Sequence, residues 1–232
     1  MGGRKNHGEK QIMPAEIKGY RLIACSSQGR CPNSANAAED LFEEIEALLK
    51  QEDLLGFLRR TVGHAIKPHH AFRISLAECP NACSQPQIKD IGIIGACLPE
   101  ISDATCTHCN ACVEACRENA VSLEPEAAGP AINADLCLAC GACAKACATG
   151  TIVDGKKGWR VMLGGKLGRH PRLARELAGI FSRDQVIDIA KRCITFYKNT
   201  STKGARFADI YTGPESIGLT HEKCPDRKNN PR

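Results

Sequence analysis

The sequence predicts an α+β fold, a single half-domain of strands and helices interrupted by a cysteine-rich insertion, and three observations carry that expectation. Helical and strand periodicities fill residues 21–100 and resume over 155–218. Between them, from Thr105 to Thr151, the composition shifts to small residues and cysteine and holds the one internal repeat of the chain. The 232 residues are 43% hydrophobic and 25% charged, which suits one ordinary domain or two small ones and excludes a disordered chain.

Residues 1–20, rich in Gly, Lys and Glu without apolar period, are expected to form a mobile arm. Leu41, Ile45, Leu48 and Leu49 then recur at helical spacing, and Asp53 to Arg60 extends or restarts that helix. Ala71 to Leu76 alternates, with Phe72, Ile74 and Leu76 on one face and Arg73 and Ser75 on the other, the pattern of a half-buried strand. Ile91 to Ile94 is a second short strand, bounded by Gly95. The insertion covers 101–154. After it Trp159 to Leu163 is expected to be a strand that feeds a turn bearing Gly164, Gly165 and Gly168. Ser182 with Gln185 has the form of a capping box and opens a helix whose buried stripe is Val186, Ile189, Ala190, Cys193 and Tyr197. The polar tail, 219–232, is expected to fray. Residues 21–100 and 155–218 are thus expected to be two parts of one discontinuous domain, since loops between strands tolerate insertions.

The charge of +5 is spread over the length, and aromatic residues make up only 4%, so neither a nucleic-acid footprint nor a base-stacking platform is expected. No run of eighteen apolar residues occurs and the N-terminal stretch has no apolar core, so no membrane span and a cytoplasmic location are expected. Fifteen cysteines are the outlier. Cytosolic thiols stay reduced, and reduced thiols at short regular spacings point to metal.

Cys106, Cys109, Cys112 and Cys116 follow a spacing of two, two and three intervening residues, and Cys137, Cys140, Cys143 and Cys147 repeat it. This is the run of bacterial two-cluster ferredoxins, in which three thiolates wrap one cubane and the fourth reaches the other. Cys106, Cys109, Cys112 and Cys147 are therefore assigned to one 4Fe-4S cluster, and Cys137, Cys140, Cys143 and Cys116 to a second. The small residues Ala111, Ala139, Gly141 and Ala142 let backbone amides approach the cluster sulfurs. Four-thiolate zinc sites use similar spacings and remain the alternative. The proline usual after the fourth cysteine is replaced by Arg117 and Ala148. His108, inside an already complete run, is expected to be a solvated loop residue.

A further quartet is split. Ala24-Cys25 with Cys31-Pro32, and Arg73-Ile74 with Cys79-Pro80-Asn81-Ala82-Cys83, resemble the cluster-binding segments of siroheme-dependent nitrite and sulfite reductases. Asp90 to Gly95 resembles the strand that follows, Val161 to Arg169 with Pro171-Arg172 the glycine turn, and Ala205 to Asp209 the closing segment. A ferredoxin module placed between these elements resembles the dissimilatory and anaerobic types of sulfite reductase. The resemblance runs from about residue 20 to 212.

What the resemblance implies is a third 4Fe-4S cluster on Cys25, Cys31, Cys79 and Cys83, with Cys83 shared as the axial ligand of a siroheme, and sulfite or nitrite as substrate. An oxyanion that loses oxygen as water needs cations and proton donors over the haem. Arg73, Lys166 and Arg169 are the candidates for that catalytic role, with Gly164 and Gly165 offering backbone amides to an anion and Asn81 fixing the cluster loop or touching the macrocycle. Lys89 and Arg172 are read as ordinary exposed cations, and His64, His69 and His70 as surface residues. Full-length relatives resemble a tandem of two halves, and this chain is expected to begin at the second. A homodimer mate or a second reductase subunit would then complete the pocket, with a separate electron donor protein. Two functions follow: an oxidoreductase of the sulfite or nitrite reductase type, or a subunit of one; alternatively, an electron-transfer protein with three 4Fe-4S clusters and no siroheme.

Overall fold

The computed structural model describes residues 18–25, 29–63 and 65–219. The expected N-terminal arm up to residue 17, the tail from residue 220 with Cys224, and His64 lie outside the described residues.

Strand β1 (Tyr20–Ala24) opens the fold and is followed by helices α1 (Glu39–Gln51) and α2 (Leu54–Thr61). Helix α1 buries Leu41, Ile45, Leu48 and Leu49, with Glu39 and Asp40 at its start and Lys50 at its end, charges that complement the helix dipole. Asp53, in the left-handed region at φ 42°, accepts the Gly56 N–H at 3.0 Å and starts α2 as a separate helix. Strand β2 (Phe72–Ala77) and β3 (Ile91–Ile101) come next, then the short elements α3 (Ala111–Ala115), β4 (Val121–Ser122), β5 (Ala131–Ile132) and α4 (Ala142–Ala146). Strands β6 (Ile152–Leu163) and β7 (Arg175–Glu176) and helices α5 (Arg183–Thr200) and α6 (Phe207–Ile210) complete the α+β fold.

The main sheet has the order β1-β2-β3-β6-β7. Its first three strands run parallel, and β3–β6 and β6–β7 are antiparallel. Successive side chains along a strand take opposite faces. Phe72, Ile74 and Leu76 of β2, Ile91 and Ile93 of β3, and Trp159, Val161 and Leu163 of β6 enter one core with the stripes of α1, α2 and α5. Each fully buried large apolar side chain there contributes about 1.5–3 kcal/mol. Phe72 meets Phe207 edge-on at 5.5 Å, and Phe207 stacks on Tyr211 at 5.2 Å, which brings α6 onto the same core. Cys193 is fully buried in α5. Among the described residues, no helix is long and apolar enough to cross a membrane.

Three strands depart from the expected pattern, for physical reasons. Alternation alone puts Ser75 on a polar outer face, yet it is fully buried, because the segment after Cys83 folds back over that face. Ser75 Oγ donates to the Ser84 carbonyl at 2.8 Å, and Ser84 Oγ donates to the Leu76 carbonyl at 2.7 Å. Strand β3 runs well beyond Ile94 to Ile101, and β6 begins at Ile152 instead of Trp159. Lys157 and Gly158 pair with Cys97 and Ala96 of β3, and Gly155 and Lys156 fall at the register shift between Cys97 and Pro99, where proline lacks an N–H. Residues 102–151 therefore leave from the tip of a long β3–β6 hairpin. His70, expected at the surface, is instead buried, and its Nδ1 accepts the Lys67 N–H at 3.1 Å.

Candidate metal centres

Parallel pairing brings the split cysteines together. Tyr20 pairs with Phe72 and Ala24 with Leu76, so β1 and β2 end side by side and their outgoing loops start from one edge. Cys25 N–H donates to the Leu76 carbonyl at 3.1 Å. Burial pushes the Cys79 thiol up, the Asn81 N–H pulls it down, and the nearby Cys31, Cys83 and Cys25 push it up further. The four cysteines thus share one electrostatic neighbourhood. Asn81 Nδ2 donates to Cys83 Sγ at 2.9 Å, which fixes the orientation of the one exposed thiol of this set.

The two contiguous runs adopt the same local shape. His108 and Asn110 in the first, and Ala139 and Gly141 in the second, take positive φ between 55° and 69°, curling each loop before a five-residue helix. His108 N–H faces Cys106 Sγ and Ala139 N–H faces Cys137 Sγ, both at 3.4 Å. Ala120 N–H meets Cys116 Sγ at 3.2 Å and Ile152 N–H meets Cys147 Sγ at 3.3 Å. These donors hold Cys147 down near 7, the Ile152 N–H first and the Thr149 hydroxyl next. Cys112 is raised by burial and by Cys147 and Cys106, while Cys143 is pushed up to about 11 by burial, with Cys137, Cys140 and Cys116 adding to it. The fourth cysteine of each run thus acts electrostatically on the third of the other. Cys109 stays exposed on its loop.

Sequence reading missed what joins these centres. The Cys97 N–H donates to the Ala139 carbonyl at 2.7 Å and its thiol to Asp154 Oδ1 at 3.2 Å, pinning the second run to β3. Lys145, between Cys143 and Cys147, donates to the carbonyls of Pro32 at 3.1 Å and Ser34 at 2.6 Å, beyond Cys31. A cavity of about 330 Å³ is lined by Cys79, Pro80, Cys116, Cys137, Cys140 and Cys143. The split set and the second set thus share a wall.

The basic residues divide into two groups. Arg73 lies on the sheet face opposite the helices, and its N–H donates to Asp90 Oδ2 at 2.8 Å. Burial and then Arg206 push its guanidinium down. Lys89, read from sequence as exposed, is instead buried where the Ser84–Lys89 segment crosses that face, and burial, Arg73 and Arg21 lower it. Asp90 is fully buried and raised to about 6 by desolvation, against the pull of the Arg73 N–H and the Arg206 and Arg73 charges. Arg206 carries two buried nitrogens, Nε and Nη2, with no hydrogen-bond partner among the described residues. Arg21, Arg206 and Asp90 had no assigned role in the sequence; the signal for Arg206 was its place in the closing segment. The second group is engaged elsewhere. Lys166 pairs with Asp209, and Arg172 donates to the carbonyls of Gly164 and Ala208, tying the glycine turn to α6. Arg169 is exposed at the turn. A Cβ on Gly165 would stand 2.5 Å from the Gln87 carbonyl oxygen, and one on Gly164, at φ 79°, would stand 2.8 Å from Tyr211, so both glycines permit close packing.

Known proteins resemble this chain in sequence and in fold. The nitrite and sulphite reductase 4Fe-4S domain matches residues 21–212. Over 176 residues the chain is 32% identical to the coenzyme F420-dependent sulfite reductase of Methanocaldococcus jannaschii, a match covering 76% of this chain and 27% of that protein. It is 28% identical over 185 residues to one of the subunits of the anaerobic sulfite reductase of Salmonella typhimurium, covering 78% of this chain and 50% of the relative. The chain thus spans half or less of the length of these relatives. A crystal structure of dissimilatory sulfite reductase I shares the fold, with a TM-score of 0.58 at 14% identity over 90% of this chain and 55% of that one.

Proposed function

The chain belongs to the nitrite and sulphite reductase 4Fe-4S domain family, and from that premise we propose that this sulfite reductase-like iron-sulfur protein holds three 4Fe-4S clusters and a siroheme. Bound clusters supply one-electron transfer, and siroheme supplies an iron at which sulfite or nitrite is reduced. Cys25, Cys31, Cys79 and Cys83 would hold the innermost cluster, with Cys83 oriented by Asn81 as the thiolate shared with the haem. Cys116, Cys137, Cys140 and Cys143 share a cavity with Cys79, which supports them as the intermediate set. Cys106, Cys109, Cys112 and Cys147 then form the outer set, nearest an electron donor protein. Backbone N–H groups aimed at Cys106, Cys116, Cys137 and Cys147 stabilise thiolate charge there.

The observation that carries the siroheme reading is the cation group on the sheet face opposite the helices. Arg73 and Arg206 act on the buried Asp90 carboxyl, Lys89 and Arg21 belong to the same charge group, and two Arg206 nitrogens stay without a partner among the described residues. Buried donors left unpaired cost free energy, and acid side groups of a macrocycle or an oxyanion would satisfy them. Arg73 belongs to this group; Arg169 would reach an anion only from the turn tip. The Lys166–Asp209 pair favours a second reading, an electron carrier with three clusters and no haem, because it neutralises one expected substrate cation. The Salmonella relative is one subunit of its reductase, which supports assembly of this chain with a further one.

A visible spectrum of anaerobically isolated protein tests the choice. Bands in the red, which cubanes lack, are expected; a broad iron-sulfur shoulder alone in fully loaded protein would reject siroheme.

A further inference from the structure

We infer that Glu78 is a positioning residue that sets the two halves of the split cysteine set at their working separation, an inference that rests on the reading of that set as a cluster site. Residues 29–38 carry Cys31 and form no helix or strand before Glu39, so their backbone N–H groups need acceptors from elsewhere. Glu78, the residue before Cys79, supplies four of these bonds. Its Oε1 accepts Gly29 N–H at 2.7 Å and Ala38 N–H at 3.3 Å. Its backbone carbonyl accepts Ala35 N–H at 2.8 Å and Asn36 N–H at 3.2 Å. One residue beside a candidate ligand thus grips, on both sides of Cys31, the loop that carries another.

The packing makes this grip rigid. Glu78 is only 2% exposed. A Cβ on Gly95 would stand 2.4 Å from the Glu78 carbonyl oxygen and 3.0 Å from that of Asn36, so β3 can approach both only because residue 95 is glycine. Asn36 Nδ2 donates to the Gly158 carbonyl at 3.1 Å, anchoring the far side of the loop to β6. The other oxygen, Oε2, is buried with no partner among the described residues. Burying an acid is costly unless its oxygens are bonded, and the bonded oxygen here serves the Cys31 loop. Cys25, by contrast, follows β1 directly and bonds to β2 through its own N–H. Cys31 is therefore the member whose place depends on Glu78.

The test compares the full chain, reconstituted anaerobically, as wild type, Glu78→Gln and Glu78→Ala, by iron content and by EPR of the reduced protein. Gln retains an acceptor at Oε1; Ala removes it. About twelve iron atoms per chain are expected in the wild type and in Glu78→Gln, and a loss of about four in Glu78→Ala, with one cluster signal gone and two retained. About eight in the wild type would sink the cluster reading of the split set and this role with it. About twelve in all three proteins would overturn the positioning role and leave the cluster reading intact. Equal loss in both variants would also overturn it, because negative charge and not the acceptor would then be what matters. Should Glu78→Ala fail to fold, Glu78→Asp takes its place, since it keeps the charge but cannot reach the Gly29 and Ala38 N–H groups: loss of about four iron atoms and one cluster signal supports the role, and wild-type iron content overturns it.

Discussion

The split cysteine set and the two contiguous sets are mounted in opposite ways. The split set stands on loops that leave β2, buried in a core that also takes in α1, α2 and α5, and β1, the half-buried edge strand packed against it. The contiguous sets sit on residues 102–151, whose Cys112, Val121 and Cys143 form a buried apolar cluster with Ile152 at the start of β6, two of the four being candidate ligands. At about 1.5–3 kcal/mol for each large buried side chain, Val121 and Ile152 fall far short of the cost of ordering that segment at about 1.5 kcal/mol per residue. A site assembled by the fold keeps its geometry without a ligand, whereas a site that assembles its own fold depends on one.

The largest expected effect follows directly. Chelating iron from the whole protein under reducing conditions should abolish amide-exchange protection across 102–151 while leaving it in β2, β3, the Trp159–Leu163 end of β6, and α5. Loss of protection in both regions would break the distinction, because the sheet would then depend on metal as well.

The same difference explains what the sequence revealed. The contiguous sets were legible because all the information lies within a few residues: spacing, small neighbours and the repeat. The split set was legible only through resemblance, since nothing in Cys25 or Cys79 alone announces that β1 and β2 end together. Helix α5 was legible from Ser182, Gln185 and its apolar stripe. The extra length of β3 and β6 was not, because Gly158 carries no strand preference and its pairing with Ala96 comes from the partner strand. Burial of Lys89 and the grip of Glu78 were also hidden, as both arise from a loop folding over a sheet face.

A smaller effect sharpens the comparison from the sheet side. Asp90 is raised from 3.8 to about 6 by burial, opposed by the Arg73 N–H and by the Arg206 and Arg73 charges. A carboxyl whose folded value lies above its unfolded one adds stability that is complete below the unfolded value and is lost as pH rises through the folded one. Asp90→Asn keeps an acceptor for the Arg73 N–H and removes the ionisation. Between about pH 4 and pH 7 the variant should therefore gain on wild type, by at most about 3 kcal/mol, in urea unfolding of the sheet region. Parallel pH curves would mean that Asp90 ionises in the fold as it does in the unfolded chain.

The smallest effect probes one route by which the two regions could communicate. Ser182 Oγ accepts the Gln185 N–H at 3.3 Å and its own N–H donates to Gln185 Oε1 at 2.8 Å, closing the start of α5. Just before this cap, Phe181 bridges to Trp159 of β6, and Ile180 packs with Ala96 and Ala139, the latter inside the second cysteine run. Ser182→Ala removes one capping bond and should cost about 1 kcal/mol, read as a lower urea midpoint at unchanged slope, while Ser182→Gly should cost only a few tenths. Iron content and the EPR of the Cys137-containing cluster should not change, because the Cys97–Ala139 bond and the Asp154 contact hold that run to the hairpin independently of the helix cap. A shifted cluster signal in Ser182→Ala would show that fraying at α5 passes through Ile180 into the metal loop, and the two regions would then be one cooperative unit with two mountings.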